Sequence, residues 1–199
     1  MLTMPQGASP YASILGIDPG TETLGMASIE FNIQTLEIHG CEAKTFRGSK
    51  LIQSDWLEDL HGSRFARIHA HCENFARILR LTGPAYIASE SPFFSRAHPQ
   101  AYGALTEIVF AMRMTLFQYD AAMEVAYIDP PSVKNAVGAK GNADKDAVKR
   151  ALLALPGLNY AGRIPLEKLD EHSIDALAVA YARLQALREA WWRGGPVPL

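Results

Sequence analysis

The stretch Ser13-Ile-Leu-Gly-Ile-Asp-Pro-Gly-Thr-Glu-Thr-Leu-Gly25 constrains the fold more than any other part of the chain. Ile14, Leu15 and Ile17 form a short apolar run that reads as a buried strand, and Pro19-Gly20 stops it at once. Asp18 is therefore held at the lip of a sheet, where open α/β folds bind ligands. The competing reading is that Asp18 caps a turn, as Asp often does.

The segments that follow predict a mixed sheet with helices around it. A first strand is expected over 12–18, a second over 24–31 with Ala27, Ile29 and Phe31 on its buried side, and a third over 35–46. Short turns between them imply an antiparallel meander. Residues 47–63 read as a loop, and 64–81 as a helix burying Phe65, Ile68, Cys72, Phe75 and Leu79. His69 and His71 beside Cys72 suggest metal ligands, but positions two apart do not share a helix face, so a solvated surface is expected. The next strand, 85–90, ends in Glu90 and should lie parallel to the first, which would set Glu90 beside Asp18. A loop with Phe93, Phe94 and Arg96 follows; its aromatics suit either base stacking or a core plug. A helix over 100–118 carries small residues that would permit a close partner helix. A fifth strand over 123–128 ends at Asp129, a turn former before Pro130-Pro131.

Charge is segregated along the chain. The 199 residues have a net charge of −2, which taken alone argues against a nucleic-acid binder. Residues 1–43 nevertheless carry five acids and no base, whereas 134–150 carry Lys134, Lys140, Lys145, Lys149 and Arg150 against Asp144 and Asp146. Residues 133–141 read as a basic loop before a helix capped by Asn142. Lysines at a helix amino end oppose its dipole, so an external anion such as phosphate explains them better than an ordinary solvated surface does. The last helix, 171–192, opens with Asp170-Glu-His-Ser-Ile-Asp175 and places His172 and Asp175 on one face. Helix capping accounts for Asp170 and Glu171 but not for a His.

Asp18, Glu90, His172 and Asp175 thus come from segments that the strand order can bring together. Two carboxylates about 4 Å apart repel by about 4 kcal/mol at an effective dielectric near 20. Such a cluster needs protonation or a divalent cation, and oxygen-rich donors suit Mg²⁺ or Mn²⁺. Two such ions can cleave a phosphodiester. No apolar run approaches the roughly 18 residues of a membrane span. Two cysteines without a pairing pattern and the absence of a basic amino-terminal start lead us to expect a cytoplasmic protein.

Four motifs, ILGIDPGTETLGMA, ASESPFF, VKNAVGAKGNADKDAVKRALL and DEHSIDALAVAYA, resemble in order and spacing the RuvC-type Holliday junction resolvases over about 13–185. The resemblance implies a ribonuclease H-like α/β fold, a five-stranded mixed sheet flanked by helices, with 12–193 the nuclease domain; residues 1–11 themselves read as a flexible leader and 194–199 as a flexible tail. It implies a homodimer, joined through its second long helix, that binds four-way DNA and nicks it symmetrically. The catalytic and metal positions would be Asp18, Glu90, His172 and Asp175, holding two Mg²⁺ or Mn²⁺ ions. Lys134 and Lys145 match residues that hold the junction backbone, with Lys140 in the same loop. Phe93 matches an aromatic at the junction centre, with Phe94 and Arg96 beside it. His172 stands where many members have Asp, which implies good activity with Mn²⁺. Other readings are a related nuclease of forks, flaps or structured RNA, an ATP-binding lobe whose phosphate loop also reads Asp-x-Gly-Thr, and a non-catalytic DNA-binding dimer. The ATP-binding architecture needs a second Gly-rich phosphate loop, and none is present.

Overall fold

The computed structural model describes residues 9–92 and 99–194, with backbone only for Pro99 and Lys145. Strands β1 (Tyr11–Asp18), β2 (Thr23–Asn32), β3 (Ile38–Arg47), β4 (Tyr86–Glu90) and β5 (Val125–Ile128) form one sheet in the order β3-β2-β1-β4-β5. The first three are antiparallel neighbours, while β4 runs parallel to β1 and β5 parallel to β4. Both the meander and the parallel β4 match the sequence expectation. The described helices are α1 (Gly48–Leu51), α2 (Asp55–His61), α3 (Ser63–Thr82), α4 (Pro99–Tyr119), α5 (Pro130–Ala136), α6 (Lys145–Ala154) and α7 (Glu171–Trp192).

The two-residue alternation of β1 sorts the core into two layers. Leu15 and Ile17 point to one face and meet Phe75 and Leu79 of α3 and Ile108, Met112 and Leu116 of α4. Ile14 points to the other and meets Ile174 and Leu177 of α7. Because both faces are covered, the strand reads as a nearly unbroken apolar run. Asp18 and Glu90 continue the α7-facing parity of Ile14 and Ala88, so the fold aims both acids toward that helix.

Two glycines let α7 lie directly on the sheet. A Cβ on Gly16 would strike Ala176 O and the backbone nitrogen of Ala180, and one on Gly25 would strike His172 O. The facing helix supplies Ala176 and Ala180, both buried. The close approach is thus written on both partners, in glycines on the strands and alanines on the helix.

Several expectations fail locally. Residues 47–63 are not a loop, since they contain α1 and α2. Residues 133–136 are helical, and only 137–141 are the expected loop: Asp129 caps α5 by accepting from the Ser132 amide, and Pro130-Pro131 occupies the first turn, where missing amide donors cost nothing. The cap of α6 is Asp144, not Asn142, through a 2.7 Å bond from the Ala147 amide. Phe65 is 48% exposed rather than buried; its ring is tilted against that of His61 and stacks on that of His69. His71, expected on a solvated surface, is fully buried against the turn after β1, beside Thr21, Gly48 and Arg67. Desolvation there pulls its pKa below the usual histidine range.

Gly25→Ala is expected to destabilise the protein by about 1–3 kcal/mol, because the new methyl must displace backbone rather than a flexible side chain. Urea unfolding monitored by circular dichroism checks this. An unchanged midpoint would mean that α7 is not seated on β2.

Candidate active site

The site is assembled where β1 and β4 end side by side. Ile17 is paired with Ser89, so the next residues, Asp18 and Glu90, are neighbours at the carboxyl ends of parallel strands. Above them lies the first turn of α7, anchored to the sheet by its own cap. The Asp170 carboxylate accepts from the Ser173 amide at 2.9 Å and from the Thr45 hydroxyl of β3 at 2.5 Å. Thr45 also lies 2.8 Å from the Ser173 hydroxyl. These bonds and the Gly25 contact fix the direction in which residues 172 and 175 leave the helix.

His172 Nδ1 lies 2.7 Å from Asp18 Oδ2, and its Nε2 lies 2.8 Å from the Thr23 hydroxyl. Glu171 Oε1 stands further from Nε2, at 3.6 Å. Burial first, then the charges of Asp18 and Asp175 and a hydrogen bond with Asp18, push the Glu90 carboxyl up to about 8. Lys134 acts on it in the opposite sense. Asp18, Glu90, His172 and Asp175 are therefore one electrostatic unit, with Lys134 at its margin.

The basic residues are arranged differently from the sequence argument. Lys134 lies in the last turn of α5, where the helix dipole favours a cation, and donates to Ala143 O at 2.7 Å. Its position therefore needs no external anion. Lys140 is exposed in the following turn, and Lys145 begins α6. Phe93, Phe94 and Arg96 lie outside the described residues. Thr23 and Thr45 were missed by the sequence reading. Their signal was parity: Thr23 shares a strand face with Gly25, and Thr45 is paired with Gly25.

Among the described residues, no three His, Cys, Asp or Glu side chains already surround a point where an ion would sit. Asp18 bonds directly to His172 instead, and Glu90 shares a hydrogen bond with Asp18. The chemistry of the donors nevertheless fits a hard divalent cation. Three carboxyl groups and one imidazole converge, and burial, with the repulsion of its neighbours added, keeps the Glu90 carboxyl protonated at neutral pH.

The family model "Crossover junction endodeoxyribonuclease RuvC" matches residues 14–183. The chain belongs to the RuvC family. It is thereby a crossover junction endodeoxyribonuclease, which sets aside the ATP-binding and non-catalytic readings. The RuvC of Myxococcus xanthus is 32% identical over 177 residues, covering 89% of this chain and 82% of its own. That of Thermus thermophilus is 29% identical over 177 residues, covering 86% of this chain and 95% of its own. A solved structure of T. thermophilus RuvC in complex with Holliday junction substrate superposes with a TM-score of 0.66 at 21% identity, covering 90% of this chain and 96% of that one. At that identity the superposition establishes the ribonuclease H-like fold. No helix among the described residues of this RuvC-family chain is long and apolar enough to cross a membrane.

Glu90 gives this RuvC-family protein a pH-dependent stability. The folded carboxyl keeps its proton to about 8, whereas its ordinary value is 4.5. Across that window the folded state binds more protons than the unfolded one, so the Glu90 contribution falls as pH rises. In chelator, Glu90→Gln is expected to gain several degrees in melting temperature over the natural protein between pH 5 and pH 8. Each 1 kcal/mol corresponds to about 2–4 °C for a chain of this size. A variant-minus-parent difference that stays flat with pH would contradict the assignment.

Proposed function

We propose that the protein resolves four-way DNA junctions as a homodimer, by paired symmetric nicks, with Asp18, Glu90, His172 and Asp175 holding two Mg²⁺ or Mn²⁺ ions in each active site. The observation that carries this reading is the Glu90 carboxyl, pushed up to about 8 by burial and by its acidic neighbours. Four donors held together against their own repulsion are unfavourable for a merely structural role, and a divalent cation removes the conflict. When bound, the ions supply an activated water and stabilise the leaving oxygen of the phosphodiester.

The chain's own groups do the positioning. Asp18, on the rigid end of β1, lies between Glu90 and His172 and is the donor best placed to be shared. Glu90 must release its proton before it can act as a ligand, so cation affinity is expected to rise toward pH 8. Lys134 bears on the cluster and is tied to Ala143, which supports assigning its charge to the scissile phosphate. Lys140 and Lys145 extend that charge along the DNA backbone, while Phe93, Phe94 and Arg96 meet the bases at the junction centre, as the resemblance implies. The junction in the T. thermophilus complex supports a branched substrate for this chain also.

The exposed side of α4 supports the dimer. Phe110, Met114 and Phe117 are 65%, 42% and 59% exposed and follow the spacing of one helical stripe. A second copy packing on that stripe would remove three large apolar side chains from water and set two active sites for opposite strands.

Asp18→Asn is expected to abolish cleavage of a synthetic four-way junction while leaving junction binding intact. Denaturing gels that map nicks on each strand, with forks, flaps and structured RNA run alongside, check this. Persistent nicking would end the metal-cluster reading, and preferential cutting of forks, flaps or RNA would reassign the substrate. Light scattering at micromolar concentration should report a dimer, and Phe117→Glu a monomer; a monomeric parent protein would exclude paired cleavage.

A further inference from the structure

The bond between His172 and Thr23 is not required by any role assigned so far. We propose that Thr23 is a positioning residue for His172, its hydroxyl holding the ring against Asp18 and so keeping the ring ready for a cation. The proposal rests on the metal-binding reading above.

The ring makes contacts at both nitrogens, 2.7 Å to Asp18 through Nδ1 and 2.8 Å to Thr23 through Nε2. The ring is thereby held from both sides, by the end of β1 and by the start of β2. Whichever nitrogen carries the proton, the Thr23 hydroxyl can meet Nε2, because a hydroxyl both donates and accepts.

Glu171 Oε1 stands 3.6 Å from Nε2, beyond hydrogen-bond length, and an ionised carboxylate cannot donate. Thr23 is also well placed to hold a fixed position. It is β-branched, which stiffens χ1, and it is paired with Arg47 in the sheet on the face that carries Gly25. Partners of this kind orient ligating histidines and are worth about 10–100-fold in metal affinity.

Mn²⁺ binding to the DNA-free protein, followed by electron paramagnetic resonance of the free ion, provides the test. Thr23→Val, which keeps the shape, and Thr23→Ala should each weaken Mn²⁺ binding about 10- to 100-fold, whereas Thr23→Ser should stay within a few-fold of the parent. Cleavage by Thr23→Val should return as Mn²⁺ is raised, which a folding defect would not allow. Equal weakening by Val and Ser would assign the effect to packing and overturn the proposal. Unchanged binding in Thr23→Val and Thr23→Ala, with binding lost in His172→Ala, would overturn the role of Thr23 alone. Parent-like binding in His172→Ala would remove His172 from the ligand set, and the proposal with it.

Discussion

Everything at the site depends on how closely α7 lies on β1 and β2. Gly16 and Gly25 remove the side chains that would hold the helix away, and the alanines of α7 complete the fit. Close packing of this kind is stiff, because backbone against backbone has no rotamer with which to yield. The first turn of α7 is then pinned a second time, by the Asp170 cap reaching Thr45 on β3. A helix seated in this way can carry two functional residues, His172 and Asp175, to strand ends far away in the sequence.

The same seating creates an electrostatic conflict. Strand alternation turns Asp18 and Glu90 toward α7, and α7 returns Asp175 to them. Burial strips the Glu90 carboxyl of the water that would stabilise its charge, the neighbouring carboxyls add their repulsion, and Glu90 retains its proton. The packing that stabilises the fold therefore concentrates negative charge at one sheet edge. Natural chains accept such local conflict where function needs it and offset it elsewhere, here by the large two-layer core around β1.

Much of the architecture was legible because it rests on short-range patterns. Alternation in β1 and β2, the terminators Pro19-Gly20 and Gly83-Pro84, and the three-and-four spacing of α7 each reflect neighbours within a few residues. The order β1-β4 followed from the general rule for strand–helix–strand connections. The errors arose where local pattern and tertiary context separate. Pro130-Pro131 looks like a loop signal, yet prolines in a first helical turn start a helix, and that changed the reading of Lys134 from a dipole misfit to a dipole match. Phe65 keeps helical spacing with Phe75 and Leu79, but in the first turn of α3 the buried position is taken by Ala66. His71 looks like a surface residue until the turn after β1 folds over it.

By itself the sequence determined which side chains could share a face and which acids would stand at strand ends, since a two-residue and a 3.6-residue period need only the local backbone. It also carried the family likeness that the match over residues 14–183 establishes. Only the tertiary structure decided which groups touch. His172 meets Asp18 across 154 residues and Thr23 across 149, and no local rule sets such a distance. The charge state of Glu90 is likewise a property of the assembled site, because it depends on burial and on neighbours from β1 and α7 together. The same holds for the two nitrogens of His172, one on an acid and one on a hydroxyl. That division of roles exists only once α7 has settled onto the two glycines.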